Sequence, residues 1–265
     1  MMRGSCHCGG VVYEVEPPLR DVVACHCTQC RKVSGHYWAA SSVPVTKFRL
    51  VESGTLRWFE SSDAARRGFC EDCGAALFWE PKPGHWPGDG GPTMHFAPGS
   101  LDGPTGLKIA AHIYKEDAGD YYSPEGPPPA PSKAMELHGA CLCGANDYSV
   151  PGPMGEAGAC HCGQCRKISG HYSVSFAVDE GAVTWNRRHD REYPTAAGGR
   201  RGHCPDCGSS LWFRDAEGGF WMEAGAFDNP TGGRLTDHIF LAEAGDYYHI
   251  DDGLPQWRIR ETDGG

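Results

Sequence analysis

Seven cysteines in a fixed spacing occur twice in this chain and account for every cysteine it has. The first copy has Cys6, Cys8, Cys25, Cys27, Cys30, Cys70 and Cys73; the second has Cys141, Cys143, Cys160, Cys162, Cys165, Cys204 and Cys207. The first five pairs lie 135 residues apart and the last two 134. Cysteines kept only for packing would not hold two registers so nearly constant. Thiolates at C-x-C and C-x-x-C spacing are soft metal ligands, so the pattern points to zinc in a duplicated unit.

The copies align beyond their cysteines. Cys25–Tyr37 matches Cys160–Tyr172 almost residue for residue, and His112-Ile-Tyr114 matches His238-Ile-Phe240 at an offset of 126. About eight extra residues therefore fall in copy one within Pro81–Gly99, a stretch rich in glycine and proline that reads as a loop insertion. The expected organisation is a first zinc domain over 1–122, a proline-rich linker over 123–136, a second zinc domain over 137–259, and a frayed tail from Arg260 to Gly265.

The fold class expected is mainly β: two tandem copies of a small antiparallel zinc-binding fold with little helix. Glycine (37) and proline (20) are abundant and long helical periodicity is absent. Strand-like runs are Val11–Val15, Trp38–Val43, Leu56–Phe59 and Ala75–Trp79, then Tyr172–Val178, Ser210–Phe213, Phe220–Ala224 and His238–Leu241. One helical turn is expected at Gln29–Val33 and another at Gln164–Ile168.

The formal net charge is −10, and thiolate-bound zinc makes it more negative. That argues against a general nucleic-acid binder, which needs a basic surface. No apolar run has membrane-spanning length, and Met1–Cys8 has no signal-peptide core. The expectation is a cytoplasmic protein, where clustered cysteines hold metals more often than they form disulfides.

Seven ligands divide as four plus three. Joining Cys6 and Cys8 to Cys70 and Cys73 closes a loop of more than sixty residues with one four-thiolate centre, which has no vacancy and serves folding. Cys141, Cys143, Cys204 and Cys207 repeat it. The trio Cys25, Cys27 and Cys30 spans six residues, as does Cys160, Cys162 and Cys165. Such a compact trio staples almost nothing. Three protein ligands with a fourth position for water or a substrate thiolate is the arrangement of a catalytic zinc. Four zinc ions per chain are expected, two of each kind. The alternative is that both clusters are structural, with His36 or another side chain closing the trio.

At these residues the chain resembles the glutathione-dependent formaldehyde-activating enzyme family, which is related to centromere protein V. The resemblance rests on Cys6-His-Cys-Gly-Gly-Val11, Cys25–Arg31 and Phe69-Cys-Glu-Asp-Cys-Gly74, and on Cys141-Leu-Cys-Gly144, Cys160–Arg166 and Cys204-Pro-Asp-Cys-Gly208. It spans nearly the whole chain as two copies. Copy two departs at His203, where copy one has Phe69, and at Leu142, where copy one has His7. The resemblance implies a β-rich zinc fold and a carbon–sulfur lyase that joins formaldehyde and glutathione to S-hydroxymethylglutathione, or reverses that step. It also implies that the four-cysteine site is structural and the trio holds the working zinc.

In that chemistry a thiol sulfur attacks an aldehyde carbon. His36 and His171, six residues after each trio, are candidate general bases because imidazole titrates near neutrality. Arg31, Lys32, Arg166 and Lys167 are candidates for the carboxylates of a glutathione-like substrate. Arg66-Arg67 and Arg200-Arg201 are similar candidates near the structural site. His112 and His238 are expected in the core or at an edge, and Tyr121, Tyr122, Tyr247 and Tyr248 are expected to pack. The two copies could pair internally as single-domain relatives might pair as homodimers. Competing readings are a non-catalytic zinc module that binds a protein, similar to the zinc-containing release factor of Rab GTPases, and a metal-handling or thiol redox role, since three thiolates also suit Cu(I).

Overall fold

A computed structural model describes residues 1–86, 91–127, 129–130, 133, 136–228 and 230–260. Part of the expected linker (128, 131, 132, 134 and 135), part of the glycine-rich stretch (87–90) and the tail 261–265 lie outside the described residues.

The first half contains β1 (Met2–Ser5), β2 (Val12–Val15), β3 (Val22–Cys25), α1 (Thr28–Ser34), β4 (Trp38–Pro44), β5 (Phe48–Glu52), β6 (Leu56–Glu60), β7 (Ala65–Cys70), β8 (Ala76–Pro81), β9 (Thr93–Phe96) and β10 (Ile109–Ile113). The second half repeats the series with β11 (Glu136–Ala140), β12 (Asp147–Pro151), β13 (Glu156–Cys160), α2 (Gly163–Ser169), β14 (Ser173–Ala177), β15 (Thr184–Arg187), β16 (Arg191–Pro194), β17 (Arg200–His203), β18 (Ser210–Arg214), β19 (Phe220–Glu223) and β20 (Arg234–Ile239). Each half has a three-stranded sheet, β1-β2-β5 or β11-β12-β15, and a seven-stranded sheet. The larger sheets run β10-β3-β4-β9-β8-β7-β6 and β20-β13-β14-β19-β18-β17-β16, the same order in both halves.

The mainly β class is as expected, with one difference of detail. The pairs β3–β10 and β13–β20 are parallel, so each large sheet is mixed. A parallel neighbour needs a long crossover, and here most of the half intervenes between β3 and β10. The expected strand at His238–Leu241 lies earlier, at Arg234–Ile239, because Phe240 turns left-handed (φ 60) and ends it. The extra residues of the first half lie between β8 and β9, but Pro81–Gly99 also contains β9 itself.

Burial explains the strands that hold the sheet together. β4 is buried at every position from Trp38 to Val43, as a central strand covered on both faces must be. Tyr13, Phe78, Phe96 and Leu77 fill the first half's core, and Tyr148, Phe176, Trp212 and Phe227 fill the second's. The short helices α1 and α2 each stop at a glycine in the left-handed region, Gly35 and Gly170, both at φ 84.

The halves touch through contacts that come in equivalent pairs. The Gly99 N–H donates to Gly170 O (3.0 Å), and the Gly225 N–H donates to Gly35 O (2.7 Å). Ile109 N–H meets Tyr247 O (3.0 Å), and Leu235 N–H meets Tyr121 O (2.8 Å). The Asp246 carboxylate accepts from the backbone of Thr105 and Gly106, and the Asp120 carboxylate accepts from that of Thr231 and Gly232. Lys32 pairs with Asp228 (3.0 Å) and Lys167 with Asp102 (2.9 Å).

Candidate metal centres

Each four-cysteine set is built by two tight turns. Cys6 and Cys8 follow β1, and Cys70 and Cys73 bracket the turn from β7 into β8. Backbone donors face the sulfurs: Val11 N–H reaches Cys6 Sγ at 3.2 Å, and Asn146 N–H reaches Cys141 Sγ at 3.2 Å. Gly74 (φ 73) and Gly208 (φ 75) take the conformation that the second turn needs. Each also lies against the other half, since a Cβ on Gly74 would meet His203 at 2.6 Å and one on Gly208 would meet Phe69 at 2.4 Å.

Within each set the sulfurs lie within 4.8 Å of one another. The contacts Cys6–Cys8 and Cys8–Cys70 are 3.5 Å, and Cys141–Cys143 and Cys143–Cys204 are 3.5 and 3.6 Å. A disulfide needs about 2 Å. Four sulfurs at about 2.3 Å from one tetrahedral zinc stand somewhat under 4 Å apart. The donor set therefore fits zinc and excludes cystine.

The trios sit where a strand gives way to a helix. Cys25 ends β3, Cys27 caps α1, and Cys30 lies in its first turn. Cys160, Cys162 and Cys165 occupy the same places on β13 and α2. Again the three sulfurs of each set lie within 4.8 Å of one another. The intervening histidines point away into the core, as strand alternation dictates. His26 bonds Tyr122 Oη through Nδ1 (2.6 Å) and His112 Nδ1 through Nε2 (2.9 Å). His161 repeats this with Tyr248 (2.8 Å) and His238 (3.0 Å).

A cleft of about 960 Å³ opens on the first trio. Cys25, Cys27 and Cys30 line it, together with Trp38, Trp79, His95, Arg20 and Arg67. Arg67 Nη2 donates to Cys30 Sγ at 3.3 Å, and Arg201 Nη2 donates to Cys165 Sγ at 3.0 Å. These arginines are thus partners of the trios, although their neighbours Cys70 and Cys204 belong to the four-cysteine sets. Burial works against the Arg201 cation, but Cys165 and Glu223 outweigh it and hold the group charged. His95 packs edge-on against Trp79 at 4.9 Å and bonds Thr93 Oγ1 at 3.1 Å. Burial, then Arg20, lowers its pKa to about 4, so its ring is neutral at pH 7.

The other candidates from the sequence lie elsewhere. His36 and His171 are fully buried, with Nδ1 bonded to Tyr121 Oη (2.9 Å) and Tyr247 Oη (2.8 Å). Burial first, and then the proximity of His171 to His36 and of His161 to His171, holds both well below the usual imidazole range. Neither is among the described residues lining the cleft. Arg31 is buried on α1. Lys32, Arg166 and Lys167 reach across to the other half, where Lys32 Nζ donates to Ala140 O (3.2 Å), Arg166 Nη1 to Gly99 O (3.5 Å) and Lys167 Nζ to Ser5 Oγ (2.6 Å). His95, Trp38, Trp79 and Arg20 were not singled out from the sequence. No spacing rule ties them to the trio, because β4, β8 and β9 bring Trp38, Trp79 and His95 there through pairing, and Arg20 is held by its bonds to Ser42 Oγ and Ala40 O on β4.

The family model described as glutathione-dependent formaldehyde-activating enzyme matches this chain twice, over residues 1–117 and 136–243. Among solved structures, a crystal structure of a Rhodobacter sphaeroides protein is similar to 42% of this chain and 100% of its own length, at 21% identity and a TM-score of 0.32.

Proposed function

Since the chain belongs to the glutathione-dependent formaldehyde-activating enzyme family, we propose that it is a zinc-dependent carbon–sulfur lyase joining glutathione, or a related thiol, to formaldehyde. The observation that carries this reading is the contrast between the two cysteine sets. The four-cysteine set is complete and bound into turns, whereas the first trio offers three sulfurs that line a cleft of about 960 Å³. Cys25, Cys27 and Cys30 would hold a zinc there, which when bound would supply Lewis acidity, lowering the pKa of a thiol and polarising an aldehyde oxygen.

The chain's own groups do the rest. Arg67 holds the Cys30 sulfur as a thiolate by a charge-assisted bond and adds positive charge where an anionic thiol arrives. Trp38 and Trp79 give the cleft an apolar wall. In the forward step the thiol sulfur bonds to the aldehyde carbon, the carbonyl π electrons move to oxygen, and the thiol's proton ends on that oxygen. In the reverse step His95, neutral at pH 7, takes the hydroxyl proton, the O–H electrons re-form the C=O bond, and the C–S bond breaks with its electron pair leaving on the thiolate sulfur, which then regains the proton. His36 and His171, committed to Tyr121 and Tyr247, position the aromatic layer behind the trios. The setting is a reducing compartment, the cytoplasm, and the two halves act as an internal pseudo-dimer. Among the described residues no helix is long and apolar enough to cross a membrane.

Exchange NMR tests the reaction. With glutathione and formaldehyde at equilibrium, catalytic amounts of protein should raise the exchange rate of the S-hydroxymethyl protons above the spontaneous rate. An unchanged exchange rate rules out the named substrates.

A further inference from the structure

The two trios share ligands but not surroundings. Strands β7 and β17 deliver equivalent arginines to them, Arg67 to Cys30 and Arg201 to Cys165, both buried. Beyond the guanidinium the halves diverge. At the end of β19, Glu223 is 1% exposed and stands 3.6 Å from Arg201 Nη1. Its carboxylate accepts from Ser173 Oγ at 2.7 Å and from Ser210 Oγ at 3.3 Å. In the first half the equivalent positions hold Ala97, Trp38 and Ala76. There the Trp38 ring lies 5.9 Å from the Arg67 guanidinium, where the second half has its acid and hydroxyls. An acid with two serines against a tryptophan with two alanines is a coordinated difference. A buried carboxylate is tolerated only with such partners.

The cleft walls differ in the same direction. Trp79, His95 and Arg20 of the first site correspond to Phe213, Trp221 and Gly155 in the second. Charge separates the two sites further. Three thiolates and a divalent cation leave one negative charge at each trio. Arg67 cancels that charge in the first half. In the second, Glu223 already balances Arg201, so the negative charge stands.

Resting on the thiol-binding reading above, we propose that Glu223 makes the second trio the weaker anion site, so that the first trio is the one that takes thiol. One unit charge within a few ångströms in a buried setting shifts anion affinity by about tenfold or more.

Cobalt(II) in place of zinc gives a spectroscopic readout that does not depend on turnover. Glutathione is titrated into the cobalt-loaded chain, and the sulfur-to-cobalt absorption is followed in Cys27→Ser and in Cys162→Ser. Cys162→Ser, which leaves the first trio intact, should keep the tight step. Cys27→Ser should bind about tenfold more weakly or worse, and adding Glu223→Gln, which preserves shape and hydroxyl partners, should restore most of that loss. Equal affinities in the two cysteine variants overturn the proposal without any change at Glu223, and so does a weak step that Glu223→Gln leaves unmoved. If glutathione alters neither spectrum, the thiol reading fails. Azide, an anion needing no thiol chemistry, then ranks the two sites, and equal azide affinities overturn the inference on Glu223.

Discussion

Tyr37 and Tyr172 stand 135 residues apart, one full repeat, and their hydroxyl oxygens lie 3.3 Å apart. Equivalent residues of two copies can meet only near an approximate two-fold axis, the geometry of a self-complementary dimer contact. The hydrogen bond between His171 Nε2 and Tyr37 Oη (2.8 Å) lies beside it, and the rings of His36 and Tyr172 are 5.1 Å apart. The trios' helices flank this layer, so pairing of the halves and placement of the cysteines are one structural problem.

Gly99→Ala and Gly225→Ala should each weaken that pairing. A Cβ at Gly99 would meet Gly170 O at 2.6 Å and Arg166 O at 2.7 Å, and one at Gly225 would meet Arg31 O at 2.5 Å. Backbone cannot yield as a side-chain tip can. Either variant is expected to lose about 2 kcal/mol or more in urea melts, as overpacked sites do.

Cysteine variants should separate the two kinds of centre. Cys73→Ser or Cys207→Ser breaks a closed four-thiolate set, and structural zinc contributes on the order of 10 kcal/mol, comparable to a whole domain's stability. Circular dichroism should show that half unfolded or strongly destabilised. Cys27→Ser and Cys162→Ser should both leave the melt nearly unchanged, and Cys27→Ser should act on thiol binding and exchange instead.

Arg67→Gln should lower kcat/KM about tenfold or more while the fold persists, because the lost partner is the Cys30 sulfur rather than the core. Arg67→Lys, which keeps the charge without the planar fork, should recover part of the loss.

Stability should fall on the acid side. His95 titrates at about 4 in the folded chain, against the usual 6.5 when unfolded. Between those values the unfolded state holds one more proton. His95's contribution is therefore complete above about pH 6.5 and is lost as pH drops toward 4. The buried His36 and His171, held down by desolvation, act with the same sign. Denaturant melts of His95→Asn from pH 7 to pH 5, with zinc in excess, should show a shallower pH slope than wild type by about one proton.

The cysteine register made the metal sets, the duplication and the family resemblance legible, because ligand spacing is local and its repeat leaves little freedom. Strands such as β4, β6 and β8 were legible from their β-branched and aromatic runs. β10 was legible only as a strand-like segment around His112; its parallel pairing with β3, nearly ninety residues earlier, was not, since Ile109–Ile113 is largely exposed. The cleft was hidden for the same reason, as Arg67 and His95 reach the first trio only through strand pairing. Glu223 was not singled out from the sequence. Only the fold shows that Ser173, Ser210 and Arg201 converge on it.

The central claim is one saturated and one open metal per half. Zinc analysis combined with X-ray absorption at the zinc edge, on protein purified without added metal, tests it most directly. With fourteen cysteines in two sets of four and two of three, the account predicts about four zinc per chain and a mean of about 3.5 sulfurs per zinc, with a lighter atom filling the open positions. Two zinc per chain with four sulfurs each would contradict it, leaving the trios without a metal to work with.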